Sequence, residues 1–336
     1  MGINHATGTY STDVNLAPGF SLENTWDLIE GGWFWGAAKA PPVSTSKDYR
    51  NSAESGPILE PYSVPDDRRT TASGRLVLAP DFRSEAVLKS FAAVAGARWA
   101  DGRLVLAEAG QPASVTVRLQ SPYVLCTAGA SAPGATGAEV SVDGGKTFKP
   151  APLTNFTDAV RGQYDVLVRI GFQSALPSLR IEALVQNNKT ALPYLSPGSN
   201  TITVAVADAG QLGANRLAVT YAYRPGWRDQ SCEDLCKAGK EIGKAAAAHW
   251  TDAPVVVQHT FAAKDLPATF EIPVPTPKGK HPVYPRMLFV RREVLAPGSQ
   301  PQPLPAGASE PTVKPDDGMA TLPSPFRVGT TKPPVP

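Results

Sequence analysis

From residue 113 to residue 224 the chain repeats one pattern: short runs in which apolar and polar side chains alternate, cut apart by turn-forming clusters. In 113–120, Val115, Val117 and Leu119 alternate with Thr116 and Arg118, and the same two-residue period fits 164–170, 179–185, 201–206 and 217–223. A strand sends successive side chains to opposite faces, so each run has one face to bury and one to leave wet. The breaks, such as Ala132-Pro133-Gly134 and Ser196-Pro197-Gly198-Ser199-Asn200, are short and built from residues that fix or free φ. Short connections favour antiparallel neighbours, and one-sided strands close a core by stacking as two sheets. The pattern predicts an all-β fold over residues 75–295, an antiparallel β-sandwich of the jelly-roll or immunoglobulin-like kind.

The flanks read differently. With 29 glycines and 34 prolines the chain is rich in turns and has few long helical patterns. Residues 1–74 predict an N-terminal arm, a short helix and a Pro-rich connector. In the arm only Asp13-Val14-Asn15-Leu16 is strand-like. Ser21 is placed to cap a helix whose Leu22, Trp26 and Ile29 share one face, with Gly31-Gly32 ending it. Ser84 similarly heads a short helix carrying Val87, Leu88, Phe91 and Val94. A helical insertion is predicted at 227–250, its small face formed by Cys232, Leu235, Cys236, Gly239 and Ala246 and its end closed by Trp250. The prolines between Val257 and Arg286 confine that stretch to edges and loops, and 296–336 reads as a Pro-rich flexible tail.

Ser141-Val142-Asp143-Gly144-Gly145-Lys146-Thr147-Phe148 is the most specific motif, set between two strand-like segments. A carboxylate able to bond nearby N–H groups, followed by two residues free to take positive φ, is the chemistry of a tight hairpin. These residues resemble the Asp-box of sialidase-like (BNR-repeat) proteins, Ser-x-Asp-x-Gly-x-x-aromatic, met here by Ser141, Asp143, Gly145 and Phe148. In that family the box is a structural hairpin remote from the catalytic centre, repeated around a propeller. Here Ser46-Lys47-Asp48-Tyr49-Arg50 begins another copy but has Arg where Gly belongs, so the resemblance implies a turn device and no propeller. The family's arginine cluster with its Tyr and Glu partners has no counterpart assigned here. The strand region is also similar, diffusely, to accessory β-sandwich modules of secreted bacterial carbohydrate-active proteins. That similarity implies an extracellular or cell-envelope location.

Charge excludes some partners. The 32 basic and 30 acidic residues give a formal +2, too small and too dispersed for nucleic acid or an anionic membrane as partner. No run approaches the roughly 18 apolar residues of a membrane-spanning helix. Three cysteines, Cys126, Cys232 and Cys236, are too few for a disulfide framework. Cys232 and Cys236 fall on one helical face and could share a soft metal with His249 or His259, yet the third sulfur would have to come from distant Cys126; packing is the simpler role, and no metal or other cofactor is expected. His5, His249, His259 and His281 are accompanied by no Gly-x-Ser-x-Gly elbow.

What remains for function is aromatic. Trp33-Phe34-Trp35 cannot send all three rings to one side, and either plugs the sandwich or offers a sugar-stacking surface, with Trp227 as a further platform. The leading expectation is a non-catalytic module of an exported bacterial protein, binding or scaffolding carbohydrate through Trp33, Trp35 and Trp227. Were the chain an enzyme instead, a fragment of a glycoside hydrolase or polysaccharide lyase, Asp27 and Glu30 beside the aromatic run are the acid–base pair to test. A third expectation is a structural subunit of an envelope or shell, joined to other protein subunits through arm and tail.

Overall fold

The computed structural model describes residues 2–7, 10–27, 29, 71–188, 192–231 and 248–304. In chain order the strands are β1 (Gly2–Thr7), β2 (Tyr10–Asn15), β3 (Phe20–Thr25), β4 (Thr71–Leu78), β5 (Ala93–Ala95), β6 (Ala97–Ala100) and β7 (Arg103–Leu106). There follow β8 (Ala113–Gln120), β9 (Val124–Ser131), β10 (Ala135–Ser141), β11 (Lys149–Ala151), β12 (Asp165–Phe172), β13 (Ala175–Leu176) and β14 (Arg180–Asn188). The last six are β15 (Gly198–Val206), β16 (Arg216–Arg228), β17 (His249–Trp250), β18 (Val255–Ala262), β19 (Ala268–Val274) and β20 (His281–Leu295). Two single-turn helices, α1 (Thr157–Val160) and α2 (Ala209–Leu212), punctuate them.

Every pairing is antiparallel, and the chain is an all-β sandwich fold with few, short helices. The largest sheet has eight strands, ordered β17-β16-β20-β3-β4-β14-β9 with β18 also on β16. A five-stranded sheet (β11-β10-β12-β8-β5), a four-stranded sheet (β19-β15-β1-β2) and a three-stranded one (β13-β7-β6) complete the layers. The alternation seen in sequence is the burial pattern: in β12 the side chains of Val166, Val168, Ile170 and Phe172 are buried while their neighbours are half-exposed. Buried residues of the eight-, five- and four-stranded sheets join one core cluster. Tyr223 spans two layers, donating from its hydroxyl to the carbonyl of Pro273 in β19 at 2.6 Å.

Four expectations are corrected. Residues 2–7 and 10–15 are strands built into the four-stranded sheet, β1 pairing with both β2 and β15, and not an arm. The helix expected from Ser21 is strand β3, held between β20 and β4 in the middle of the large sheet. Leu22 and Trp26 stand four apart, a spacing that fits a two-residue period as well as a helical one, and two flanking ladders outweigh a cap. Trp26 is buried, edge-on to Tyr194 at 5.6 Å. After Ser84 there is one stretch of 3-10 helix, Glu85–Ser90, to which the Ser84 side chain contributes no bond, and Val94 belongs to β5. The insertion's ends are strand, Trp227 and Arg228 closing β16 and His249 with Trp250 forming β17; residues 232–247 lie outside the described residues. The Pro-rich stretch before β20 does form an edge strand, β19, with Pro273 near its end.

The two faces of the large sheet differ in kind. Toward the core, Leu22, Leu76 and Ala183 are buried, together with the fully buried Arg292, which bonds Asn24; Asn24 in turn donates to Asn187 at 3.2 Å. A buried guanidinium costs several kcal/mol in desolvation unless its donors are met, so this polar seam specifies how β20, β3 and β14 align. On the other face Gln258, Thr220, Arg291, Glu23, Arg75 and Leu184 stand opposite one another in register across β18, β16, β20, β3, β4 and β14. This outer row is laced by ion pairs, Arg291–Glu23 at 3.5 Å and Arg75–Glu23 at 3.1 Å.

Candidate functional site

At one end of the large sheet, β16 and β20 run on with β17 as a ribbon. Trp227 is paired in register with His249 and with Pro282, and Gly226 with Trp250 and Val283. Opposite residues in a ladder share a face and successive ones alternate, so Trp227 and His249 project on one side of the ribbon and Trp250 on the other. The rings of Trp227 and His249 stack, centroids 5.9 Å apart and planes inclined 28°. Asp229 ties this side together: Lys280 donates to it at 2.7 Å, and His249 Nε2 stands 3.5 Å away. The Lys280 ammonium holds the Asp229 carboxyl below the usual carboxylate range, with a smaller contribution from His249.

Trp250 is fixed from beneath. A Cβ added at Gly226 would stand 2.8 Å from the indole, so only glycine lets the ring lie there. Its Nε1–H donates to the carbonyl of Tyr284 at 3.2 Å, which meets the ring's one polar need. Yet Trp250 remains 40% exposed and Tyr284 61%, in a set of only five exposed large apolar side chains among the described residues. Two large rings left open to solvent, one of them held in place, are uncommon for residues that usually fill cores. Arg286, two residues beyond Tyr284, comes within 3.9 Å of Asp27, which is exposed at the end of β3. Of the predicted residues, Trp227 and Asp27 therefore lie in or beside the ribbon. Glu30, Trp33 and Trp35 lie outside the described residues. Trp250 and Tyr284 were missed as a pair because the sequence separates them by a Pro-rich segment; His249-Trp250 and Val283-Tyr284-Pro285 were their only local signal.

The turn at residues 141–148 is a closed device. Ser141 Oγ donates to Asp143 Oδ1 (2.7 Å) and accepts from Gly145 N (2.9 Å). The Thr147 hydroxyl and N–H both donate to the Asp143 carboxylate, at 2.6 and 3.0 Å. These bonds, Thr147 first, hold the Asp143 carboxyl well below the usual range. Gly144 and Gly145 take φ of 75° and 92°, and the hairpin joins β10 to β11. Phe148 is covered by the Arg169 guanidinium, 3.6 Å from the ring centroid, and Arg169 also pairs with Glu139 at 3.1 Å. The carboxylate is spent on its own turn.

Other chemistry is thinly supplied. Among the described residues no three His, Cys, Asp or Glu side chains cluster to hold a metal. Cys126 is buried, and burial pushes its thiol up to about 12, away from the thiolate that metals and electrophiles need. Cys232 and Cys236 lie outside the described residues. Burial also raises the Glu293 carboxyl, but Glu293 is covered by the chain after β20, whose Gln302 N–H donates to it at 3.0 Å. No described helix is long and apolar enough to cross a membrane. Comparison with protein-family models, with curated proteins and with solved structures finds no match.

Proposed function

We propose that this chain is a non-catalytic glycan-binding module and that the ribbon of β16, β17 and β20 is its binding surface. The observation that carries this is Trp250, anchored on Gly226 and by Tyr284 O, with its ring and that of Tyr284 open to solvent. Sugar rings have apolar faces, and an exposed indole offers such a face a flat apolar partner. On the opposite side of the ribbon, Trp227 stacked on His249 and the Asp229–Lys280 pair stiffen the strands that carry Trp250. Such a module fits an exported or cell-envelope protein that meets polysaccharide outside the cell. An array of glycans probed with the full-length protein tests the reading: specific binding that Trp250→Ala removes from a folded protein supports it, and an array without a hit overturns it.

A second reading, a subunit of an envelope or shell assembly, is favoured by β18. Its only partner among the described residues is β16, and it carries neither proline nor Lys, Arg, Asp or Glu to discourage edge pairing. His259, Phe261 and Phe270 cluster there, His259 and Phe270 with centroids 4.1 Å apart, and burial lowers the His259 pKa. Light scattering that shows a single chain at high protein concentration would remove this reading.

A further inference from the structure

The two faces of the ribbon carry different chemistry, and the strand register assigns the side chains to them. Gly226 pairs with Trp250 and Val283, Arg228 with His281, and Arg224 with Arg286. Between Arg224 and Gly226 strand β16 advances two residues while β20 advances three. The extra residue therefore lies in β20, and β16 keeps its alternation. Arg224, Gly226 and Arg228 share one face, and with them Trp250, Arg286 and His281. Trp227, His249, Asp229 and Lys280 take the other, where they contact one another.

Charge is disposed differently on the two faces. On the Trp227 face the Lys280 ammonium is taken up by Asp229 at 2.7 Å. On the Trp250 face Arg224 and Arg286 form the row on one side of the indole, and Arg228 with His281 the row on the other. The side chain of Arg286 is 56% exposed, and Asp27 stands 3.9 Å from it, beyond hydrogen-bond reach. No described carboxylate pairs with Arg224, and its buried Nε has no hydrogen-bond partner among the described residues. Asp252 is exposed in the bend after β17. The indole leans toward the first row: its Nε1–H donates to the carbonyl of Tyr284, which lies between Val283 and Arg286 in β20.

We propose that the glycan taken by this face is an anionic one, a polysaccharide whose sugars carry carboxylate or sulfate groups. The inference rests on the reading of the ribbon as a glycan-binding surface and adds the class of glycan. A sugar stacked on the indole holds its ring substituents at the ring's edge, so a carboxylate or sulfate there points along the sheet. Successive rows on one strand face are about 7 Å apart, two residues of ~3.4 Å each, and a long arginine side chain covers that interval. A guanidinium offers such a group two parallel N–H donors, and it is less strongly hydrated than an ammonium. Arg286 and Arg224 are the two that supply them, since neither is engaged by a hydrogen-bonded carboxylate among the described residues.

Titration calorimetry on the full-length protein with matched polymers tests this: polygalacturonate against the same polymer with its carboxyls reduced to alcohols, and dextran sulfate against dextran. In at least one pair the charged member should bind at least about tenfold more tightly. That advantage should vanish near 1 M salt, where the screening length falls to about 3 Å. Arg286→Gln should weaken binding of the charged polymer about fivefold and leave the neutral one unchanged. Arg224→Gln should do the same, and the exposed Arg286 carries the test should Arg224→Gln fail to fold. Lys280→Gln removes the same charge from the opposite face and should cost no more than about twofold. Whichever charged polymer binds more tightly names the anion. Equal binding of charged and neutral polymers, equal losses in Arg286→Gln and Lys280→Gln, or equally tight binding of polyglutamate, which has charge but no sugar rings, overturns the proposal. Neutral polymer bound without regard to charge, and lost in Trp250→Ala, overturns this inference alone and keeps the ribbon as the glycan site. No binding of any polymer overturns both.

Discussion

Two small clusters in this protein are built from the same parts, an aspartate, a glycine and an aromatic ring, and come to opposite ends. At residues 141–148 both oxygens of the Asp143 carboxylate are bonded within the turn, by Ser141 and Thr147, and Arg169 covers Phe148. In the ribbon Asp229 is shared between Lys280 and His249, residues remote in sequence, Trp250 is positioned but uncovered, and Tyr284 stands exposed beside it in the ribbon. Local bonding makes a turn that needs nothing else. Long-range pairing makes a surface whose open faces a ligand can complete.

The sharpest way to break this contrast is to strip the ribbon. The double variant Trp250→Ala, Tyr284→Ala should bind glycan about 100-fold more weakly, roughly 1.4 kcal/mol for each ring, with an unchanged melting temperature. Titration calorimetry with a thermal melt reads both quantities. Gly226→Val should cost about tenfold in affinity, because the new Cβ displaces the Trp250 ring, and should lower stability by about 1–3 kcal/mol as overpacking does. Asp143→Ala should do the reverse, lowering the melting temperature while leaving glycan affinity alone.

The turn also predicts a pH dependence with a definite sign. Folding favours the ionised form of Asp143, whose carboxyl is held below its unfolded value. Its contribution is therefore complete above about pH 4, the unfolded value, and is lost as pH falls through the folded one. Asp143→Asn should remove that part of the acid limb in melting curves taken between neutral pH and strong acid. The smallest effect belongs to Lys280→Ala: an exposed ion pair contributes little, and affinity should change no more than about twofold.

How much of this could be read from sequence depends on where the partners lie. Strands β8, β12 and β14 were legible because Val, Ile and Leu alternate within each one, so the burial pattern is written locally. Strand β3 was not, because Leu22 and Trp26 satisfy two periods and its partners β4 and β20 are far along the chain. Strand β9 went unseen for another reason. Its Ala128-Gly129-Ala130 stretch lacks β-branched residues because the loop after β11 presses on it, a Cβ at Gly129 standing 2.2 Å from Thr154 O. The turn at 141–148 was fully written in eight consecutive residues. In the ribbon only Trp227 was visible as a platform, since the partnership of Gly226, Trp250 and Tyr284 exists only once β17 and β20 have paired with β16.

One measurement weighs scaffold against site directly. Affinity electrophoresis of wild type, Asp143→Ala and Trp250→Ala, run side by side through gels containing the polysaccharide selected on the array, compares the two clusters under one condition. Wild type and Asp143→Ala should be retarded equally, and Trp250→Ala should be retarded far less, as an affinity about tenfold weaker requires. Equal retardation of all three, or a loss confined to Asp143→Ala, would contradict the assignment of binding to the ribbon.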